Sequence, residues 1–312
     1  MKILAKTKNL NTDEWRRLRL QGIGGSDVSI IAGINKFRSA HQLWLEKTGQ
    51  IEPEETESEY AHFGTILEPI VKKEFTRRTG LKIRSKNMLL QSDEPDLQFM
   101  IANVDGVIKE NEELVIFEAK TVSAYKKEEV EYAPLPEHIL QVQHYMKVIG
   151  TARKAYIAYL CGGNQFFYHV VYRDDELIEK MIEMERYFWE EYVMKGVEPI
   201  PDGSDATTRY FNSKFYESNG KTIELPGEVI PICDKYEIVS NELKILETEK
   251  AALANQIKNY MKEYETGIVQ DRKIVWKTVE KSSFDSKRLK KEKPDLYEDY
   301  LTHTQYRRLQ VA

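Results

Sequence analysis

The stretch that decides the reading is Asn103-Val104-Asp105-Gly106-Val107-Ile108, followed by Leu114-Val115-Ile116-Phe117-Glu118-Ala119-Lys120. Both halves have strand character, and Lys109-Glu110-Asn111-Glu112-Glu113 between them is a polar turn. A hairpin folded about Asn111 and Glu112 pairs positions whose numbers sum to 223, and Asp105 and Glu118 are such a pair. Carboxylates facing each other across a ladder repel and destabilise it. A divalent cation turns that repulsion into coordination, and hard oxygen donors suit Mg²⁺. Strand alternation places Lys120 on the face of Glu118 and turns Val115, Phe117 and Ala119 the other way.

One face thus presents acid, acid and ammonium. That set suits phosphodiester hydrolysis: two carboxylates hold a metal that polarises the phosphoryl oxygen and activates water. The lysine can orient or deprotonate that water, or stabilise developing charge. The bland alternative is a surface hairpin with scattered charges. Val115-Ile116-Phe117 argues against it, because a strand that apolar is largely buried and buried strands rarely carry such charges without use.

Two flanking features point the same way. Glu68 lies in Gly64-Thr65-Ile66-Leu67-Glu68-Pro69, on a long helix predicted from about Tyr60 to Thr79 with Gly80 at its C-cap. Gly64, one turn earlier, allows close approach to the sheet or to a ligand. Apolar Phe63, Ile66, Leu67, Ile70, Val71 and Phe75 have helical spacing, and Pro69 predicts a kink or a later start. Gln141 and Tyr145, four apart, share a face of a helix predicted over 136–149. The apolar face there is Ile139, Val142, Met146 and Ile149, which leaves Gln141 and Tyr145 at its flank.

Further helices are expected from Thr12 to Leu20, from Ser26 as cap to Ile34, and from Ser39 to near Gly49. Gly22-Ile23-Gly24-Gly25 reads as a flexible break, and 52–59 as an acidic loop. Strands at about 154–161 and 165–172 flank Gly162-Gly163-Asn164, and a helix follows to about Lys195. The order predicts an α/β protein with a central mixed β-sheet flanked by helices. A break from Gly196 to Gly227, rich in Pro and Gly, separates a core at 1–212 from a helical, partly β C-terminal extension at 213–312. In the extension, Tyr236, Leu243, Ile257 and Tyr264 interleave with Val239, Leu246, Leu253 and Tyr260 in a heptad stripe broken by Lys250. It suits a long helix packed on a partner helix or on its own domain. From Arg272 to Lys293, nine Lys/Arg stand against three Asp/Glu, a candidate phosphate-contacting surface.

Composition narrows the class. The 312 residues carry a net charge of −5, so any DNA contact must come from local basic patches. Cys161 and Cys233 cannot build a four-cysteine zinc site or iron–sulfur cluster. No apolar run is long enough to span a bilayer and the N-terminus has no signal-peptide pattern, so a cytoplasmic location is expected.

Trp15-Arg16-Arg17-Leu18-Arg19, Gly22-Ile23-Gly24-Gly25-Ser26-Asp27, Gly64 to Glu68, Asp105-Gly106, Glu118-Ala119-Lys120 and Gln141-Val142-Gln143-His144-Tyr145 occur in an order that resembles the PD-(D/E)XK nuclease superfamily. More narrowly, the chain resembles the YqaJ-type viral recombinase, or lambda-exonuclease, family over about 12–195. Val104 stands where the superfamily name has proline. The resemblance implies a restriction-endonuclease-like core and a 5′-to-3′ exonuclease on linear double-stranded DNA, dependent on Mg²⁺ or Mn²⁺. Such an enzyme leaves 3′ single-stranded tails for phage-type recombination by single-strand annealing. It implies Asp105, Glu118 and the Ala119 carbonyl as metal ligands, Lys120 acting on the nucleophilic water, Glu68 assisting the metal through water, and Gln141 in support. Arg19 and Ser26 would bind the 5′-phosphate, with Trp15 and Tyr145 beside them. An arginine and a glycine-rich helix start are physically suited to an anion. A homotrimeric ring around DNA and a single-strand annealing partner come with the resemblance as well.

Two rivals remain at this level. One is another enzyme of the superfamily, such as an endonuclease; the Trp/Arg/Ser block argues for end recognition instead. The other is a non-catalytic DNA-binding or scaffold protein, disfavoured because the whole set of catalytic residue types is present.

Overall fold

The computed structural model describes residues 1–51, 59–84 and 87–311. The chain divides into two compact units, Met1–Phe211 and Asn212–Ala312. The order in the first is β1 (Lys2–Lys6), α1 (Thr12–Arg19), β2 (Ile23–Gly24), α2 (Gly25–Ile31), α3 (Ala40–Lys47), α4 (Glu59–Thr79), β3 (Ile83–Arg84), β4 (Met88–Gln91), β5 (Met100–Ala102), β6 (Gly106–Glu110) and β7 (Glu113–Val122). Then come α5 (Lys127–Tyr132), α6 (Pro136–Ile149), β8 (Lys154–Cys161), β9 (Gln165–Tyr172) and α7 (Asp175–Tyr187, prolonged by a π-helical stretch Phe188–Met194), and α8 (Asp205–Lys214) begins in this unit and ends just past its boundary.

The central sheet has the order β3-β6-β7-β8-β9 and is mixed: β7 and β8 run parallel, the other pairs antiparallel. The β6–β7 register is the one the turn predicts, with Gly106 opposite Phe117 and Glu110 opposite Glu113. Asn111 and Glu112 both take positive φ (46° and 68°), as a two-residue hairpin turn of primed type requires. Alternation then sorts β7 between two cores. Val115 and Phe117 pack with Val71 and Phe75 of α4, whereas Ile116 joins Val142 and Met146 of α6 in the larger core.

A second sheet, β1-β4-β5-β2, includes a strand at the expected flexible break: Ile23 and Gly24 pair in parallel with Met100 and Ile101. The glycines serve close approach rather than flexibility. A Cβ on Gly22 would collide with the Phe99 carbonyl oxygen. Ser26 is not the cap of α2; that helix starts at Gly25, with Gly24 as N-cap. Helix α4 runs unbroken from Glu59 through Pro69, and Gly80 closes it at φ 75°. Its predicted stripe splits: Val71 and Phe75 are buried, but Phe63, Ile66 and Ile70 are about half exposed. The expected acidic loop lies, up to residue 58, outside the described residues. Helix α8 falls inside the stretch read as a break, because its Ala206 and Thr207 bury well despite the surrounding Pro and Gly.

The second unit holds α9 (Ile230–Met261), the hairpin β10 (Thr266–Val269) and β11 (Arg272–Val275), α10 (Ser286–Glu292) and α11 (Pro294–Asp299). Of the heptad stripe, Tyr264 lies beyond the end of α9, and the other seven positions are exposed. No helix among the described residues is long and apolar enough to cross a membrane.

Candidate active site

Asp105 immediately precedes β6, and the hairpin register leads it alongside Glu118 and Ala119 of β7. Its Oδ2 accepts the Ala119 backbone N–H at 2.8 Å, which locks the carboxylate beside the strand. Glu118 is buried, with its side chain only 3% exposed. Its Oε1 takes Lys120 Nζ at 2.8 Å and Gln141 Nε2 at 2.7 Å. Its Oε2 is buried and has no hydrogen-bond partner among the described residues. A buried carboxylate oxygen without a donor costs free energy that some ligand normally repays.

Electrostatics agree with the geometry. Burial first, then the neighbouring Glu118 charge, pushes the Asp105 pKa up to about 8. Burial also raises Glu118, against the pull of Lys120. For Lys120, burial opposes the charge, but Glu118 and Asp105 outweigh it and hold the ammonium above the ordinary lysine value. Two crowded acids therefore share one cation where two charges need compensation. Paired carboxylates with an unused oxygen fit a hard divalent ion.

Glu68, on α4, lines the same cleft of about 260 Å³ as Asp105, Glu118, Ala119 and Lys120. Its carboxylate is bonded to Lys72, which also donates to the Asp105 carbonyl at 2.7 Å. Among the described residues, no three His, Cys, Asp or Glu side chains stand together as a ready ligand set. Asp105 and Glu118 could hold a cation through their carboxylates, and Glu68 lines the same cleft. A Cβ on Gly64 would meet only Thr121 Oγ1 at 3.7 Å, so contact with the sheet does not require glycine there.

Gln141 and Tyr145 are not on a polar flank of α6, as the spacing suggested. Both are buried, and Gln141 Nε2 donates to the Tyr145 hydroxyl at 2.8 Å as well as to Glu118. The start of α2 covers them. A Cβ on Gly25 would come within 2.5 Å of the Tyr145 ring and 3.0 Å of Gln141 Cγ. Only glycine lets the helix start this close.

Arg19, Ser26, Gln141 and Tyr145 line a second cavity, of about 160 Å³, that also includes Asp105, Glu118 and Asn103. The two cavities therefore meet at the carboxylate pair. Arg19 Nη2 donates to Ser26 Oγ at 3.1 Å and to Asp27 Oδ1 at 3.2 Å. Trp15 lies against the guanidinium, 6.0 Å from ring centroid to Cζ, and lines neither cavity. Sequence reasoning gave no role to Lys47 or Lys72, and none to Asp27 or Asn103 although both lie in the motifs quoted above. Of these only Lys72, four residues after Glu68 on a helix, carried a local signal.

The fold defines the class first. LHK-Exo in complex with dAMP superposes with a TM-score of 0.50 and 23% identity, over 59% of this chain and 94% of that one. An alkaline exonuclease (LHK-Exo) from Laribacter hongkongensis gives 0.48 and 21%, with the same coverage. The core thus shares the mixed α/β fold of the LHK-Exo complex. Residues 14–152 match the YqaJ-like viral recombinase domain. The uncharacterized protein YqaJ of Bacillus subtilis (strain 168) is 41% identical over 312 residues, covering 99% of this chain and 97% of that protein. The chain belongs to the YqaJ-like viral recombinase family.

Proposed function

We propose that the protein is a metal-dependent exonuclease that degrades linear double-stranded DNA in the 5′-to-3′ direction and leaves 3′ single-stranded tails for recombination by strand annealing. The observation that carries this reading is the buried Oε2 of Glu118, which has no donor among the described residues, beside Asp105 and Lys120. Family membership and the exonuclease fold support it.

Asp105 and Glu118, with the Ala119 carbonyl, would hold Mg²⁺ or Mn²⁺. What the cation supplies when bound is positive charge at the scissile phosphoryl oxygens and at the attacking water. Lys120, with its Nζ 2.8 Å from Glu118 Oε1, would act on the nucleophilic water or stabilise phosphoryl charge. Gln141 fixes the Glu118 carboxylate by one bond and is itself fixed by Tyr145. Glu68 assists through water from the α4 side. Arg19 and Ser26, across the carboxylates, bind the 5′-phosphate of the DNA end and so set where the chain is cut. A homotrimeric ring and an annealing protein as partner belong to the same proposal.

The test is time-resolved digestion of a linear duplex labelled at one end at a time, with and without Mg²⁺, beside a covalently closed circle. Release from 5′ ends only, dependent on the metal, is expected. Cutting of the closed circle would reject exonuclease action.

A further inference from the structure

We propose that Asp27 and Lys47 are positioning residues for Arg19: a buried ion pair that decides which edge of the guanidinium is offered to the 5′-phosphate. This rests on the exonuclease reading above and on Arg19 as its phosphate ligand.

Lys47 projects from α3 and its side chain is 4% exposed. An ammonium has three protons to donate. Lys47 directs its Nζ at three acceptors: Asp27 Oδ2 at 2.9 Å, the Arg19 carbonyl at 2.7 Å and the Gly22 carbonyl at 2.6 Å. One buried cation thus ties the end of α1, the entry to β2 and the first turn of α2. Asp27, 1% exposed, completes the arrangement. Its Oδ2 also accepts the Gly24 N–H at 3.0 Å, and its Oδ1 accepts Arg19 Nη2. Burial opposes ionisation of Asp27, but Lys47 and Arg19 outweigh it and hold the carboxyl well below the usual range.

The consequence falls on Arg19, whose side chain is about a third exposed. Nη2 is spent on Ser26 and Asp27, while Nη1 and Nε make no hydrogen bond among the described residues. The guanidinium is held at one corner and lines the cavity shared with Asp105 and Glu118. A long arginine on a helix end otherwise samples many rotamers, and that entropy would be lost on binding. Here it is lost on folding. The charge balance matters too. Asp27 alone would repel a phosphate and cancel Arg19, whereas Lys47 leaves the trio with one net positive charge. A purely structural role explains the pair less well, since a buried ion pair is often no more stabilising than apolar residues of the same volume.

The experiment compares digestion rates of 5′-phosphorylated and 5′-hydroxyl ends of one duplex by the full chain and by Arg19→Ala, Asp27→Asn and Lys47→Met. The ratio of the two rates does not depend on the fraction folded, and Asp27→Asn keeps the shape of the side chain. Asp27→Asn and Lys47→Met are expected to lower the phosphoryl/hydroxyl ratio about tenfold, as loss of a charged hydrogen bond does. In the Arg19→Ala background Asp27→Asn should not lower it further. If Arg19→Ala loses discrimination but Asp27→Asn and Lys47→Met slow both ends equally, positioning is overturned and the phosphate pocket stands. If Arg19→Ala keeps the parent ratio, the assignment of the phosphate to Arg19 fails, and this proposal with it.

Discussion

Gln141 and Glu118 are joined by a hydrogen bond of 2.7 Å between α6 and β7. The bond leaves Oε2 of Glu118 as the buried oxygen of the carboxylate that has no partner among the described residues. Gln141 therefore aims the acid rather than neutralising it. Replacing it by alanine frees the carboxylate and removes a donor. Gln141→Ala is expected to cut turnover or metal affinity by about 10–100-fold, as loss of an outer-shell partner does. Digestion rates across a Mg²⁺ titration check this, with partial recovery at high metal expected. A rate equal to the parent's at every concentration would contradict it.

Lys120 and Asp105 are tested by removal. Lys120→Ala and Asp105→Ala should lower turnover by about 10²–10³ or more, because each deletes charge that the transition state meets. Duplex binding, followed by fluorescence anisotropy, should survive in both. Parental digestion rates in both variants would place the chemistry elsewhere.

Stability of the metal-free protein should fall as pH rises. The folded Asp105 pKa of about 8 exceeds its unfolded value, so the native state binds the extra proton between roughly pH 4 and pH 8. Stability is retained below that window and lost across it as the buried carboxylate is forced to ionise. Thermal melts in chelator at pH 6 and pH 8 should show the drop. Asp105→Asn should flatten it, and an unchanged slope in that variant would assign the effect to other groups.

Gly25 is required by space, not by backbone angle. Gly25→Ala drives a methyl into the Tyr145 ring and against Gln141. Overpacking of this kind costs about 1–3 kcal/mol. A lowered melting temperature together with a reduced digestion rate is expected. An unchanged melt and rate would mean that α2 shifts freely.

The second unit should be dispensable for hydrolysis. Among the described residues, both cavities are lined only by residues of Met1–Phe211. A chain ending near residue 228 should melt cooperatively and digest duplex in the presence of Mg²⁺. A folded truncated protein with no hydrolysis at any metal concentration would refute the division.

Much of the site was legible because hairpin pairing is local. Positive φ at Asn111 and Glu112 and simple alternation carry Asp105, Glu118 and Lys120 to one place. Chain neighbours specify such a register without help from distant segments. The Gly22–Gly25 stretch was misread for the opposite reason. A glycine run reads as loose chain until the carbonyl of Phe99 and the ring of Tyr145 are seen against it. Likewise, helical spacing marked Phe63, Ile66 and Ile70 of α4 as apolar, but spacing alone cannot say which face meets a sheet.

The order of residues by itself determined the strand pair, its turn, the acid–acid–lysine face and the heptad spacing of α9, all products of periodicity over short separations. Tertiary structure alone decided that Gln141 reaches Glu118, that Lys47 holds Asp27 and Arg19, and that two cavities meet at Asp105 and Glu118. Those contacts join segments separated by many residues, and their partners are chosen by how helices and sheets bury their apolar faces together, a choice no local pattern contains.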